Sequence, residues 1–230
     1  PTHRGAAETE GVEGRKTLVT ADKELTRQSD EVARQRRELP YERVEKNYVL
    51  DGPNGKQTLA DLFAGNSQLV VYHFMLGPTW EEGCKSCSFL ADHFDATRIH
   101  LAHRDVRFAV VSRAPLPRIK AFQKRMGWRF PWVSAFATDF QRDYGVHFTQ
   151  EDRAGEVNYN YHQIRFGLEE APGLSVFYKD EAGEIFHTYS TYARGLDSLV
   201  GTYHFLDLVP KGRDEDGMAF RSARLPNPMA

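Results

Sequence analysis

Three stretches of the chain are almost continuously apolar: Gln68 to Met75, Val106 to Ser112 and Trp132 to Phe136. Runs rich in β-branched and aromatic side chains suit strands covered on both faces, as in a parallel sheet. Between them the apolar positions move to helical spacing. Phe89, Leu90, Phe94, Ile99 and Leu101 predict a helix from Ser88 to Leu101. Pro115-Leu116-Pro117 opens a second helix that runs through Met126 and is capped by Gly127. Thr138 to Tyr144 reads as one or two helical turns. Further on, Leu174–Lys179 and Ile185–Ser190 flank Asp180-Glu181-Ala182-Gly183-Glu184, which is a hairpin signature. A helix from Leu196 to about Leu208 closes the pattern. Strands alternating with helices, followed by an antiparallel hairpin, imply an α/β fold built on one mixed sheet.

The flanks are different. Residues 1–20 read as a flexible tail, residues 21–213 as the folded domain and residues 214–230 as a C-terminal tail. Residues 21–38 are highly charged helix formers, with Leu25, Val32 and Leu39 at seven-residue spacing. That thin stripe suits a solvated helix, or one packed against a second subunit in a homodimer. Residues 146–170 are polar, aromatic and without a clear period, and long connections of this kind often carry function.

Composition narrows the class. With 40% hydrophobic residues among 230, the chain can bury a core of ordinary size. A net charge of −2 announces no basic face, so nucleic acid is not an expected partner. No apolar run approaches the ~20 residues that span a bilayer, so no membrane association is expected. No apolar leader follows Pro1-Thr2-His3-Arg4, and the expectation is a soluble cytoplasmic protein.

The chain has two cysteines, Cys84 and Cys87. A bridge between them would close a very small loop and stabilise little, because disulfide stabilisation grows with loop length. Chemistry explains the pair better. The strand ending near Met75 is followed by a loop, and the predicted helix begins close to Cys84. A thiolate at a helix N-terminus faces the positive end of the helix dipole, which lowers its pKa. Cys84 is then the attacking thiolate and Cys87 the resolving thiol of a dithiol–disulfide couple, with a protein or small-molecule disulfide as substrate and no cofactor. Lys85 between them favours the thiolate, while Glu81 and Glu82 oppose it. Two alternatives stay open. One is a metal-binding or metallochaperone role, with His supplying further ligands beside the C-x-x-C pair. The other is a thiol peroxidase, in which a peroxide oxidises Cys84 to a sulfenic acid that Cys87 resolves.

Several segments resemble the thioredoxin superfamily. Val70-Val71-Tyr72-His73-Phe74-Met75, then a loop with Trp80, then Cys84-Lys85-Ser86-Cys87 at a helix start, is similar to its active-site segment. Ala171-Pro172-Gly173 before a strand and hairpin resembles its cis-proline loop, which faces the dithiol and shapes substrate binding. The stretches 51–74 and 106–146 resemble the peroxiredoxin branch, including its inserted helix and strand. Over residues 20–217 the chain is similar to a bacterial family of unassigned function described as predicted dithiol-disulfide oxidoreductases. The resemblance implies a thioredoxin-like sheet flanked by helices, with a peroxiredoxin-like insertion and an extra N-terminal helix. It also implies that Ala171, Pro172 and Gly173 form a wall opposite the cysteines, with a cis bond at Ala171–Pro172. His73 would stand where thioredoxin keeps a buried acid, as a candidate acid/base.

Other residues near the pair carry expectations of their own. Trp80, Lys85 and Ser86 are candidates for substrate contact, Trp80 as an apolar docking rim. His93 lies further along the helix and does not face the pair squarely. Tyr159, Tyr161 and His162 are candidates for a lid.

Overall fold

A computed structural model describes residue 5 and residues 7–216. The chain divides between Pro40 and Tyr41 into two units. The first holds one helix, α1 (Glu8–Arg37). It begins inside the segment read as a flexible tail, which corrects that reading. Apolar content is not what makes it helical. Glu8 and Glu10 sit in the first turn and Arg34, Arg36 and Arg37 in the last, matching the helix dipole at both ends. Glu13–Lys16, Glu24–Arg27 and Glu31–Arg34 pair one turn apart along it. None of its residues is buried.

The second unit follows the alternation read from the sequence. Its elements are β1 (Glu42–Arg43), β2 (Val49–Gly52), β3 (Gly55–Thr58), α2 (Leu59–Leu62), β4 (Gln68–His73), α3 (Lys85–Ala102), β5 (Val106–Ser112), α4 (Leu116–Met126) and β6 (Trp132–Ser134). After these come α5 (Phe140–Asp143), β7 (Val157–Tyr159), β8 (His162–Ile164), β9 (Gly173–Lys179), β10 (Ile185–Tyr192) and α6 (Gly201–Leu206). Eight strands form one mixed sheet in the order β1-β10-β9-β4-β5-β6-β2-β3. The apolar strands β4, β5 and β6 run parallel at its centre, and β9 joins β4 antiparallel.

Each sheet face has its own core. On one, Tyr72, Phe74, Val110 and Trp132 pack with Cys87, Ala91 and Phe94 of α3 and Ile119 and Phe122 of α4. On the other, Leu69, Val71, Val111 and Phe177 pack with Leu59 and Leu62 of α2 and Phe140 of α5. The period-two alternation of β4 therefore decides which helices each side chain meets.

Two further expectations change in detail. The segment 146–170 is not irregular throughout. β7 and β8 pair across a two-residue turn, Asn160-Tyr161, with φ positive at both residues (54° and 63°), the geometry of a tight hairpin. The closing helix is split into a 3-10 turn over Ala193–Leu199 and α6, because Val200 between them is extended (φ −101°, ψ 95°). The C-terminal tail expected from residue 214 lies almost wholly outside the described residues.

Candidate functional site

Beyond His73, β4 continues to hold the chain to β5 through three more bonds. Phe74 N–H donates to Val111 O (3.0 Å), Ser112 Oγ donates to Phe74 O (2.7 Å), and Ala114 N–H donates to Leu76 O (2.8 Å). The loop that follows is fixed by Arg118, whose Nη1 donates to Pro78 O (2.9 Å) and Trp80 O (2.7 Å). Gly83 then lies against the core. A Cβ there would come within 2.5 Å of Phe74 Cε1 and 2.8 Å of Phe122 Cε1, so this close approach requires glycine. Cys84 N–H donates back to Met75 O (3.1 Å), which delivers Cys84 to the N-cap of α3.

The helix thus starts three residues earlier than the apolar spacing indicated, and Cys84 rather than Ser88 marks its start. As N-cap, Cys84 is extended (φ −54°, ψ 130°), and its carbonyl accepts from Ser88 N–H (2.9 Å) and Ser88 Oγ (3.0 Å). Its sulfur faces donors of the first helical turn. The Cys87 thiol lowers the Cys84 pKa most, burial opposes, and the backbone N–H groups of Cys87 and Ser86 lower it further, from 9.0 to about 7. Cys87, 1% exposed, moves the other way: burial pushes its pKa well up, and the neighbouring Cys84 sulfur adds to that. One sulfur is partly buried with its pKa lowered, and the other is buried with its pKa raised.

Under Cys87 lies Tyr72, fully buried, its hydroxyl 3.4 Å from Cys87 O. The sequence reading placed His73 at this position. In the structure His73 is on the opposite face of β4, beside Phe140 and Tyr144. Its Nδ1 is 2.5 Å from Gln141 Oε1 and its Nε2 2.9 Å from Ser175 Oγ, and burial lowers its pKa to about 4. It is a hydrogen-bonded core histidine away from the cysteines. Strand parity is the reason, and it was available in the sequence: if Phe74 and Tyr72 share a face with the helix bearing Cys87, His73 cannot.

A cleft of about 350 Å³ opens over the pair. It is lined by Tyr72, Met75, Cys84, Ser86, Cys87 and Leu90, by Phe166, Leu168 and Pro172, and by Ala193, Arg194, Leu196, Asp197 and Tyr203. Pro172 and Ser86 line the same cleft as the two cysteines. Ala171 and Gly173 are buried behind Pro172, packed with Val146 and Tyr192, and do not line the cleft. The Ala171–Pro172 bond is trans, since no described peptide bond is cis, which corrects the cis expectation. Pro172 instead meets the cleft through its neighbours' bonds: Ala171 N–H donates to Val146 O (2.9 Å) and Tyr159 Oη donates to Pro172 O (2.7 Å). A trans X–Pro bond is the favoured isomer, and these bonds hold the loop without an exception to that preference.

Trp80 packs over Gly77, where an added Cβ would come within 3.0 Å of the indole Nε1, and Lys85 is half-buried at the helix start. Neither lines the cleft. Glu82, expected to oppose the thiolate, pairs with Arg125 at 2.8 Å. His93 ties α3 to α6. Thr202 N–H donates to its Nε2 (3.2 Å), so Nδ1 carries the proton and donates to Phe89 O (2.7 Å). Tyr161 on the β7–β8 turn and His162 at the start of β8 are exposed and do not line the cleft. Tyr159 does have a part, though not as a lid. Its hydroxyl donates to Pro172 O and accepts from Ala193 N–H (3.1 Å), so it links two segments that line the cleft.

The sequence reading missed Phe166, Leu168, Leu196 and Tyr203, which come from three segments brought together only by folding. It also missed a partly buried cluster in which Arg113 Nη1 donates to the buried Glu170 Oε1 (2.7 Å) and lies 2.7 Å from His147 Nδ1. Burial is the main reason that the Glu170 pKa rises to about 7, with Arg113 opposing. Among the described residues, no group of three or more His, Cys, Asp or Glu is arranged to hold a metal ion. No described helix is long and apolar enough to cross a membrane.

The family model described as "Bacterial protein of unknown function (DUF899)" matches residues 2–227. No curated protein matches the sequence. Similar solved structures include peroxiredoxin Q from Xanthomonas campestris, at 19% identity and TM-score 0.44, covering 69% of this chain and 90% of that one. Peroxidoxin BcpB from Mycobacterium tuberculosis is 14% identical with TM-score 0.48, covering 71% and 95%. A thiol:disulfide interchange protein DsbE from Chlorobium tepidum, so titled as a putative one, is 13% identical with TM-score 0.43, covering 70% and 93%. The mixed sheet, its parallel centre and its C-terminal hairpin make the second unit thioredoxin-like in architecture.

Proposed function

The chain belongs to the DUF899 family of bacterial proteins of unknown function, and we propose that it catalyses thiol–disulfide exchange with Cys84 as nucleophile and Cys87 as resolving thiol. The observation that carries this reading is the opposed setting of the two sulfurs. Cys84 is at the helix N-cap with its pKa lowered to about 7, and Cys87 is buried with its pKa raised. A pKa lowered to about 7 is close to the optimum for an attacking thiol at neutral pH.

In the reducing direction, the Cys84 thiolate attacks one sulfur of a substrate disulfide. A Cys84–substrate disulfide forms, the substrate S–S bond breaks, and the first substrate thiolate leaves. Cys87 then loses its proton and attacks Cys84 Sγ, forming the Cys84–Cys87 disulfide and releasing the second substrate thiolate. Two electrons pass to the substrate, and its two thiolates take up the two protons given by the cysteines. Ionising Cys87 in a buried site is costly. Once Cys84 is in the mixed disulfide it carries no charge, so the negative neighbour that raised the Cys87 pKa is gone. This ordering makes resolution follow capture.

The test is a titration of the pure protein in glutathione or dithiothreitol buffers, counting free thiols by mass after alkylation. A reversible two-electron transition within roughly −120 to −300 mV is expected. If the thiols never pair, the reading fails.

A further inference from the structure

Resting on that reading, we propose that the substrate is a small organic disulfide with an apolar body, bound inside the cleft in preference to a charged peptide disulfide. The cleft volume of about 350 Å³ falls at the small end of small-molecule sites. That is roughly the liquid volume of a dozen waters, enough for two small aromatic or aliphatic thiols joined by their sulfurs. Met75, Leu90, Phe166, Leu168 and Leu196 surround the space above Cys84. The two charged lining residues face each other, with Arg194 Nε 3.2 Å from Asp197 Oδ2, and Asp197 also meets Arg213 at 3.4 Å. The tyrosine hydroxyls are engaged away from the space: Tyr203 Oη donates to Glu215 Oε1 (2.8 Å), and Tyr72 points at the Cys87 carbonyl. A ligand entering this cleft thus finds apolar surface and few groups that reward charge.

Two segments that line the cleft are also tied to each other, since the Tyr159 hydroxyl bonds both Pro172 O and Ala193 N–H. A concave site lined mostly by apolar side chains suits a small ligand that it can largely bury. Leu168 is the accessible probe, since it lines the cleft yet is 53% exposed, so replacing it does not empty the core.

The experiment measures the second-order oxidation rates of the reduced protein by dipyridyl disulfide, which is neutral and aromatic, by oxidised glutathione and by a protein disulfide. It is repeated with Leu168→Asn and Leu168→Met. Intrinsic reactivity of each disulfide cancels when each variant is compared with the parent chain. Leu168→Asn is expected to slow dipyridyl disulfide about tenfold more than it slows glutathione, and Leu168→Met to restore the preference. Calorimetry with the Cys84→Ser, Cys87→Ser chain is expected to show saturable binding of dipyridyl disulfide, weakened by Leu168→Asn. Equal slowing of all three substrates, or no saturable binding, overturns the inference. The redox titration reports separately on the dithiol chemistry: a pair that cycles while the preference is missing leaves the proposed function standing and removes this substrate class.

Discussion

α1 and α3 are both long helices, and they are stabilised in opposite ways. α1 runs from Glu8 to Arg37 with no buried residue, while α3 runs from Lys85 to Ala102 and buries Cys87, Ser88, Phe89, Ala91 and Phe94. α1 follows local chemistry: good helix formers, charges matched to its dipole and ion pairs between successive turns. α3 is fixed by what it packs on. Its N-terminus is not capped by a side chain, and Gly83, Arg118 and the Met75 carbonyl determine where it starts. The difference matters for chemistry, because a helix end can tune a sulfur only if the surrounding structure holds that sulfur still.

If α3 is the chemical helix, Cys84→Ser has the largest effect of any single change. Exchange activity in a disulfide reduction assay is expected to vanish while the circular dichroism spectrum stays native. Retained activity would break the comparison at its root. Next in size is Phe94→Ala. Phe94 is buried against Tyr72 (5.1 Å) and Phe108 (5.3 Å), and its loss is expected to lower unfolding free energy in urea by about 3–5 kcal/mol.

The pH dependence sharpens the role of the helix start. Alkylation of Cys84 by iodoacetamide is expected to rise about tenfold per pH unit below pH 7 and to level off above it, because only the thiolate reacts. A rate still climbing toward pH 9 would mean that the α3 terminus leaves the thiol untuned. The smallest effect belongs to α1. Leu25, 67% exposed, changed to Ala is expected to shift stability by less than about 0.5 kcal/mol. A larger loss that depends on protein concentration would mean the stripe of Leu18, Leu25, Val32 and Leu39 is covered in solution.

Much of the fold was legible because its signals are local. The runs at Gln68, Val106 and Trp132 became the parallel centre, Gly127 capped α4 in the left-handed conformation (φ 73°), and the turn at Asp180–Glu184 joined β9 to β10. The full length of α1 was underestimated because its stability comes from charge placement and not from an apolar face. The β7–β8 hairpin was missed because its turn, Asn160-Tyr161, lacks the usual glycine.

By itself the sequence determined the order of the elements and the spacing of the two cysteines that the proposed chemistry rests on. It has two cysteines, in C-x-x-C spacing, where a buried strand gives way to a helix. Tertiary structure decided everything that depends on which face a residue takes and which distant segments meet. It put Tyr72 and not His73 under Cys87, kept the Ala171–Pro172 bond trans, and drew Phe166, Leu168, Leu196 and Tyr203 around Cys84. Periodicity and spacing report on neighbours along the chain. A cleft is made by residues far apart in it, and they meet only after the sheet has formed and its two faces have been filled.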